Sequence, residues 1–243
     1  SRRLNALTRL GGGDLRRPAV ILATANSVLQ RVPPRDVIKQ ASFSAAPGNR
    51  VNTEELQDYL VKNGFSRTGT VVDPGDYAIR GGIIDIFPPG EAGPVRLDLF
   101  GDVLDGARRF DPATQRTTEK LEVVELAPVS EIILDDGAIT RFRQNYRIEF
   151  GAAGTDDPLY EAVSAGKKHA GVEHWLPFFH EKLETLFDYL PDDTSVITVG
   201  DHHGAARQFW SDAQNRFSEY GIDPRRPLLP PTRCFIPVEE LYR

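Results

Sequence analysis

The stretch Pro74-Gly75-Asp76-Tyr77-Ala78-Ile79-Arg80-Gly81-Gly82-Ile83-Ile84-Asp85-Ile86-Phe87-Pro88-Pro89-Gly90 decides how the middle of the chain is read. Two short runs rich in β-branched and aromatic residues, Asp76–Arg80 and Ile83–Phe87, stand between turn-forming Asp73-Pro74-Gly75 and Pro88-Pro89-Gly90. The same grammar continues on either side. Thr70–Val72 precedes, and Val95–Phe100, Ala107–Phe110 and Lys120–Leu126 follow, separated by turn chemistry at Gly101-Asp102 and Asp111-Pro112. Upstream, Asn52 or Thr53 can cap a helix bearing Leu56, Tyr59, Leu60 and Val61, and Gly64 suits its C-terminal end. Residues of about 42–127 are therefore expected to form an antiparallel β meander domain with one packed helix.

The flanks use a different grammar. Residues 1–41 read as the end of a helix, a turn at Gly11-Gly12-Gly13, a buried strand Ala19–Thr24, and a short helix from about Asn26 to Gln30 that stops at Pro33-Pro34. This is strand–helix α/β grammar whose beginning is missing. Residues 128–243 return to helices. Asp135-Asp136 opens an amphipathic stretch with Ile139, Phe142 and Tyr146, and a second lies near Pro158–Val163. The run from Trp175 to Leu190 is aromatic and is expected in a core, and Ser195–Val199 reads as a short buried strand followed by a helix through Phe209, Trp210 and Phe217. The expected fold class is thus mixed, α+β with α/β parts: the meander, flanked by part of an α/β domain (1–41) and a mainly helical domain (128–243).

The 243 residues carry 29 Lys+Arg against 35 Asp+Glu, a formal charge of -6, and 40% are hydrophobic. That composition fits a globular protein with a real core. Segment by segment the charge is +6 over 1–40, -5 over 41–127 and -7 over 128–243. An acidic chain without a long basic stripe is a poor stand-alone nucleic-acid binder, because phosphate affinity needs clustered cations, so a protein partner gains weight. The single cysteine, Cys234, forms no internal disulfide and no thiolate zinc site, which fits a reducing cytoplasm. No run approaches the ~18 apolar residues that span a bilayer, and Ser1-Arg2-Arg3-Leu4 does not open a signal peptide. Methionine is absent even at position 1, so the chain is expected to be an excised or processed piece of something longer.

The segments that resemble enzyme motifs have plainer readings. Gly166-Lys167-Lys168 lacks both the hydroxyl and the preceding strand of a phosphate-binding loop. His169, His174 and His180 are spaced with Gly171 and Pro177 between them, so no regular helix sets two on one face as metal ligands. Asp201-His202-His203 matches the signature triplet of a metal phosphoesterase family, but the aspartate motifs that should precede it are not recognisable. At the start of a helix, Asp201 would instead cap free amides. Catalytic and metal-ligating residues are expected to be none.

The meander is more informative. In Val95–Phe100, period-2 alternation puts Val95, Leu97 and Leu99 on one face and Arg96, Asp98 and Phe100 on the other. An aromatic beside an arginine on a polar face is the pairing enriched at binding hot spots. The plainer alternative is that a helix or neighbouring domain covers Phe100 while Arg96 pairs with Asp98, and the pattern alone weighs the two equally. Arg80 adds to the cluster, since Gly81-Gly82 suggests a bulge or close backbone approach that would project it outward beside the strand of Arg96.

At these residues the sequence closely resembles a known domain. Pro74–Gly90, Pro94–Phe100 and Arg109-Phe110-Asp111-Pro112 resemble the domain shared by the bacterial transcription-repair coupling factor family, Mfd, and the excision-repair protein UvrB. Ala170-Gly171-Val172-Glu173-His174-Trp175-Leu176-Pro177 and Asp223–Pro231 favour Mfd. The resemblance implies a UvrA-binding domain like UvrB domain 2 at 42–127. It also implies the end of a degenerate helicase-like α/β domain at 1–41 and a UvrB domain 1b-like region at 128–243. It implies a non-catalytic recruitment module that delivers nucleotide excision repair to lesions where RNA polymerase has stalled, in the bacterial cytoplasm near the nucleoid. The UvrA contact carries over onto Arg80, Arg96 and Phe100. No cofactor is expected for this chain. ATP and Mg belong to the family's translocase motor, which, like the contacts to RNA polymerase and double-stranded DNA and the C-terminal masking domain, lies elsewhere in longer members. No membrane partner is expected. The rivals are a UvrB-like damage-verification helicase protein, which needs a Walker motif and an aromatic hairpin, and, remotely, a DHH-type metal phosphoesterase.

Overall fold

The computed structural model describes residues 2–12, 19–151, 157–167, 169–221 and 228–242. Gly13, Lys168 and residues 223–227, which entered the turn, loop and resemblance arguments above, lie outside them. In chain order the helices are α1 (Arg2–Gly11), α2 (Ala25–Val28), α3 (Arg35–Gln40), α4 (Thr53–Lys62), α5 (Asp136–Phe150), α6 (Pro158–Ser164), α7 (His202–Tyr220), α8 (Pro231–Cys234) and α9 (Val238–Leu241), with 3-10 turns at Val172–Phe178 and Phe187–Tyr189. The strands are β1 (Phe43–Ala45), β2 (Ser66–Arg67), β3 (Asp76–Arg80), β4 (Ile83–Ile86), β5 (Val95–Phe100), β6 (Val103–Phe110), β7 (Thr117–Lys120) and β8 (Val124–Leu126).

The fold is mixed α+β. Contacts divide it into two compact units, one of residues 1–14 and 36–133, the other of 15–35 and 134–243. This partition differs from a division at 41 and 127, because α1 goes with the meander. Its stripe Leu4, Leu7 and Leu10 is buried, and Arg3 and Asn5 reach Glu131 and Glu91.

The first unit is built on a six-stranded sheet in the order β2-β3-β4-β5-β6-β7, antiparallel throughout except for the parallel β2–β3 pair, with β1 and β8 forming a small antiparallel ladder. One sheet face, with Tyr77, Ile84, Ile86, Val95, Leu97, Leu104 and Ala107, packs on Leu56 and Leu60 of α4. That helix begins at Asn52, whose side-chain oxygen accepts from the Glu54 and Glu55 amides. It ends in a Schellman pair, with the Phe65 amide donating to Leu60 and the Gly64 amide to Val61, and with Gly64 at φ 88. On the opposite face Val71, Ala78, Phe87 and Phe110 form a second, smaller cluster.

Two expectations in this unit need correction. Thr70–Val72 is not a strand, and the sheet edge is Ser66–Arg67 instead. Gly81-Gly82 is not a bulge but the two-residue turn of the β3–β4 hairpin, with Arg80 opposite Ile83 and a positive φ of 60 at Gly81, the first central position. Register irregularities lie instead between Asp98 and Leu99 opposite β6 and between Arg109 and Phe110 opposite β7.

In the second unit, Asp135 caps α5, whose Phe142 and Tyr146 lie at the centre of an aromatic core with Tyr160, Trp175, Phe178 and Phe179. A second small core joins α2 and α7 through Leu29, Ala206 and Ile236. Both strands expected here are absent. Ala19–Thr24 and Ser195–Val199 have no ladder partner among the described residues, and their side chains face solvent, Leu22 at 91% and Val199 at 88%. An apolar run specifies a buried strand only when a neighbouring strand completes its hydrogen bonds.

Candidate partner-binding face

The face of the sheet opposite α4 carries the charged residues, because alternation sends Ala78, Arg80, Asp85, Arg96, Asp98 and Phe100 away from the main core. At its centre is Asp85, a carboxylate with no solvent exposure. Arg96 donates to it through Nε at 2.7 Å and Nη2 at 2.9 Å, and Arg80 donates through Nη2 at 2.7 Å. A buried carboxylate without such donors would be very costly, and the fork geometry of arginine suits both of its oxygens. The bond to Asp85 is the main reason that the Arg96 guanidinium holds its proton more firmly than usual, against the opposing effect of burial.

Arg96 is itself largely enclosed. Its guanidinium lies 4.8 Å from the centroid of the Phe110 ring, and Nη1 approaches the Gln115 carbonyl at 3.5 Å. Gln115 has a positive φ of 60, uncommon for a residue with a Cβ, and its amide nitrogen is anchored on the carbonyls of Val71 and Pro112. Asp98 pairs with Arg108 at 2.9 Å, so Arg96 does not take Asp98 as its partner. In register, Asp85, Arg96, Arg108 and Lys120 form one row across β4 to β7.

Phe100 lies at the end of β5 with 85% of its surface exposed. Within this unit no helix covers it. Its position is fixed from behind: the Leu99 amide donates to the Gly82 carbonyl at 2.7 Å, and a Cβ on Gly82 would stand only 2.6 Å from the Leu99 carbonyl oxygen. The β3–β4 turn thus presses against the strand end that presents Phe100, and half-exposed Ile83 extends the apolar surface. The structure places Arg80, Arg96 and Phe100 on one face, with two of the three sharing a single carboxylate.

Residues 43–132 match the family described as the UvrB interaction domain. The meander is thus similar to UvrB interaction domains over most of its length. Over nearly its whole length the chain is similar to the transcription-repair-coupling factor of Escherichia coli K12, 37% identical over 224 residues that make up 92% of this chain and 20% of that protein. To the corresponding factor of Haemophilus influenzae it is 33% identical over 244 residues, 100% of this chain and 21% of the relative, and to that of Bacillus subtilis 29% identical over 213 residues, 81% and 18%. The chain spans about a fifth of the length of these relatives.

Within the meander, the residue that sequence reasoning passed over is Asp85. Its signal was available: a lone acid in the otherwise apolar run Ile83-Ile84-Asp85-Ile86-Phe87 is either exposed or held by buried cations. Asp201-His202-His203 resolves as a helix start, the Asp201 carboxylate accepting from the Gly204 amide at 2.8 Å and the His203 ring stacking 4.0 Å from Tyr242. Among the described residues no helix is long and apolar enough to cross a membrane.

Proposed function

We propose that this chain is the recruitment module of a bacterial transcription-repair coupling factor. In this reading residues 42–127 bind UvrA and so bring nucleotide excision repair to stalled RNA polymerase, while residues 1–41 and 128–243 are flanking domains. The module acts by binding and not by catalysis, in the cytoplasm, and the ATP-driven motor, the RNA polymerase and DNA contacts and the masking domain belong to other parts of the longer protein. The observation that carries this reading is the exposed Phe100 standing on the same face as the Arg80–Asp85–Arg96 cluster, within a domain of the UvrB interaction family. Such a face offers an apolar anchor and charge-assisted donors for acidic groups of UvrA.

The test is a titration of UvrA with the 243-residue chain. Phe100→Ala is expected to weaken binding by about 2 kcal/mol, the scale of a hot-spot truncation, with an unchanged melting temperature. Unchanged affinity removes Phe100 from the interface, and no binding by the wild-type chain removes the recruitment reading.

A further inference from the structure

The two arginines of this face are not equivalent. Arg96 directs Nε and Nη2 to Asp85, brings Nη1 to the Gln115 carbonyl and lies over Phe110, with only 19% of its side chain exposed. Three of its five N–H donors are used inside the domain. Arg80 has 51% of its side chain exposed and touches Asp85 through a single Nη, so its guanidinium is the more open of the two. Between them Asp85 contributes one negative charge to two positive ones, leaving the cluster with one surplus positive charge at the surface.

Resting on the recruitment reading, we infer that Asp85 is a positioning residue of the interface: held from below by Arg96, it fixes the Arg80 guanidinium next to the turn that supports Phe100. A carboxylate of the partner, lying beside the apolar pocket that takes Phe100, then meets a donor already in place. Arginine has many rotamers, and ordering it before association removes a cost that binding would otherwise carry. Asp85 achieves this without touching the partner, since it has no exposed surface. The chain Gln115–Arg96–Asp85–Arg80 therefore links the Asp111–Arg116 turn to Arg80 beside the β3–β4 turn. In this arrangement Arg80 and Phe100 make the contacts, and Arg96 acts mainly through Asp85.

A double-mutant cycle on the whole chain tests this, with UvrA as the titrant. Asp85→Asn keeps the side-chain size and is expected to weaken binding at least tenfold in the wild-type background but less than twofold in an Arg80→Ala background. An equal loss in both backgrounds, or no loss in either, overturns the assignment. A second measurement needs neither UvrA nor a variant that folds. In the free wild-type chain, arginine side-chain NMR is expected to show Arg80 with slowed rotation about Cζ–Nε and resolved Nη protons. An Arg80 signal averaged like that of free arginine overturns the inference. If Arg80 is ordered but the wild-type chain does not bind UvrA, it is the recruitment reading that fails, and Asp85 is left as a structural ion-pair partner only.

Discussion

Two apolar runs of similar composition behave in opposite ways in this protein. Ile83–Phe87 in the meander is buried for most of its length, whereas Ser195–Val199 in the second unit joins no ladder among the described residues and leaves Ile197 86% exposed. The difference is not in hydrophobicity. The meander strands find their neighbours through short turns, so β3, β4, β5 and β6 complete one another's hydrogen bonds within a few residues of chain. Ala19–Thr24 and Ser195–Val199 are each followed by a helix, as parallel strands of α/β folds are, and such strands need partners from distant sequence. Apolar composition marks a segment as competent to be a strand, and topology decides whether it becomes one.

Mutations can break this contrast. Leu97→Ala, in the fully buried heart of β5, is expected to cost about 2–5 kcal/mol in equilibrium unfolding, while Ile197→Ala is expected to stay within about 0.5 kcal/mol. A comparable cost at Ile197 would mean that the second segment is packed after all. Gly82→Ala sharpens the same point at the hairpin turn. With the Leu99 carbonyl 2.6 Å from where its Cβ would stand, the substitution is expected to cost about 2 kcal/mol and to disturb the end of β5 that carries Phe100. A neutral result would show that the β3–β4 turn does not set the position of that strand end.

Much of the meander was legible because its signals are local. Asn52 and Gly64 bound α4 through hydrogen bonds reaching only a few residues, and the alternation of Val95–Phe100 is the burial pattern observed. The candidate face was legible to the same depth. Arg80, Arg96 and Phe100 could be set on one side by counting in twos, but the partner of Arg96 could not, because Asp85 is eleven residues away and the choice between it and Asp98 depends on cross-strand register. At Gly81-Gly82 the close backbone approach holds, at Gly82 against Leu99, but the alternative of a bulge does not: paired glycines serve bulges and hairpins alike, and only the pairing of Arg80 with Ile83 separates them. The buried strands expected at 19–24 and 195–199 failed because no local signal reports a missing neighbour.

The smallest expected effect concerns acid. Burial raises the Glu91 carboxyl, but hydrogen bonds from Arg109 and Asn5 and the positive charges of Arg109 and Arg9 outweigh it and bring the group below its ordinary 4.5. A carboxyl lowered on folding contributes stability above its unfolded value and loses that contribution as pH falls through the folded one. Melting temperature is therefore expected to drop below pH 4.5 less steeply in Glu91→Gln than in the wild type, with the two curves parallel near neutrality. Parallel curves throughout would mean that the Glu91–Arg109 pair is too well solvated to matter.

The most direct test of the central claim compares the two regions in one experiment, amide hydrogen exchange of the whole chain with and without UvrA. Slowed exchange is expected at the hairpin end of the meander, over residues 80–83 and 99–103, with residues 19–24 and 195–199 unchanged. Protection that appears on those exposed segments while the hairpin end stays as it was, or no protection anywhere under conditions where UvrA is bound, would contradict the assignment of the Arg80–Phe100 face as the recruiting surface.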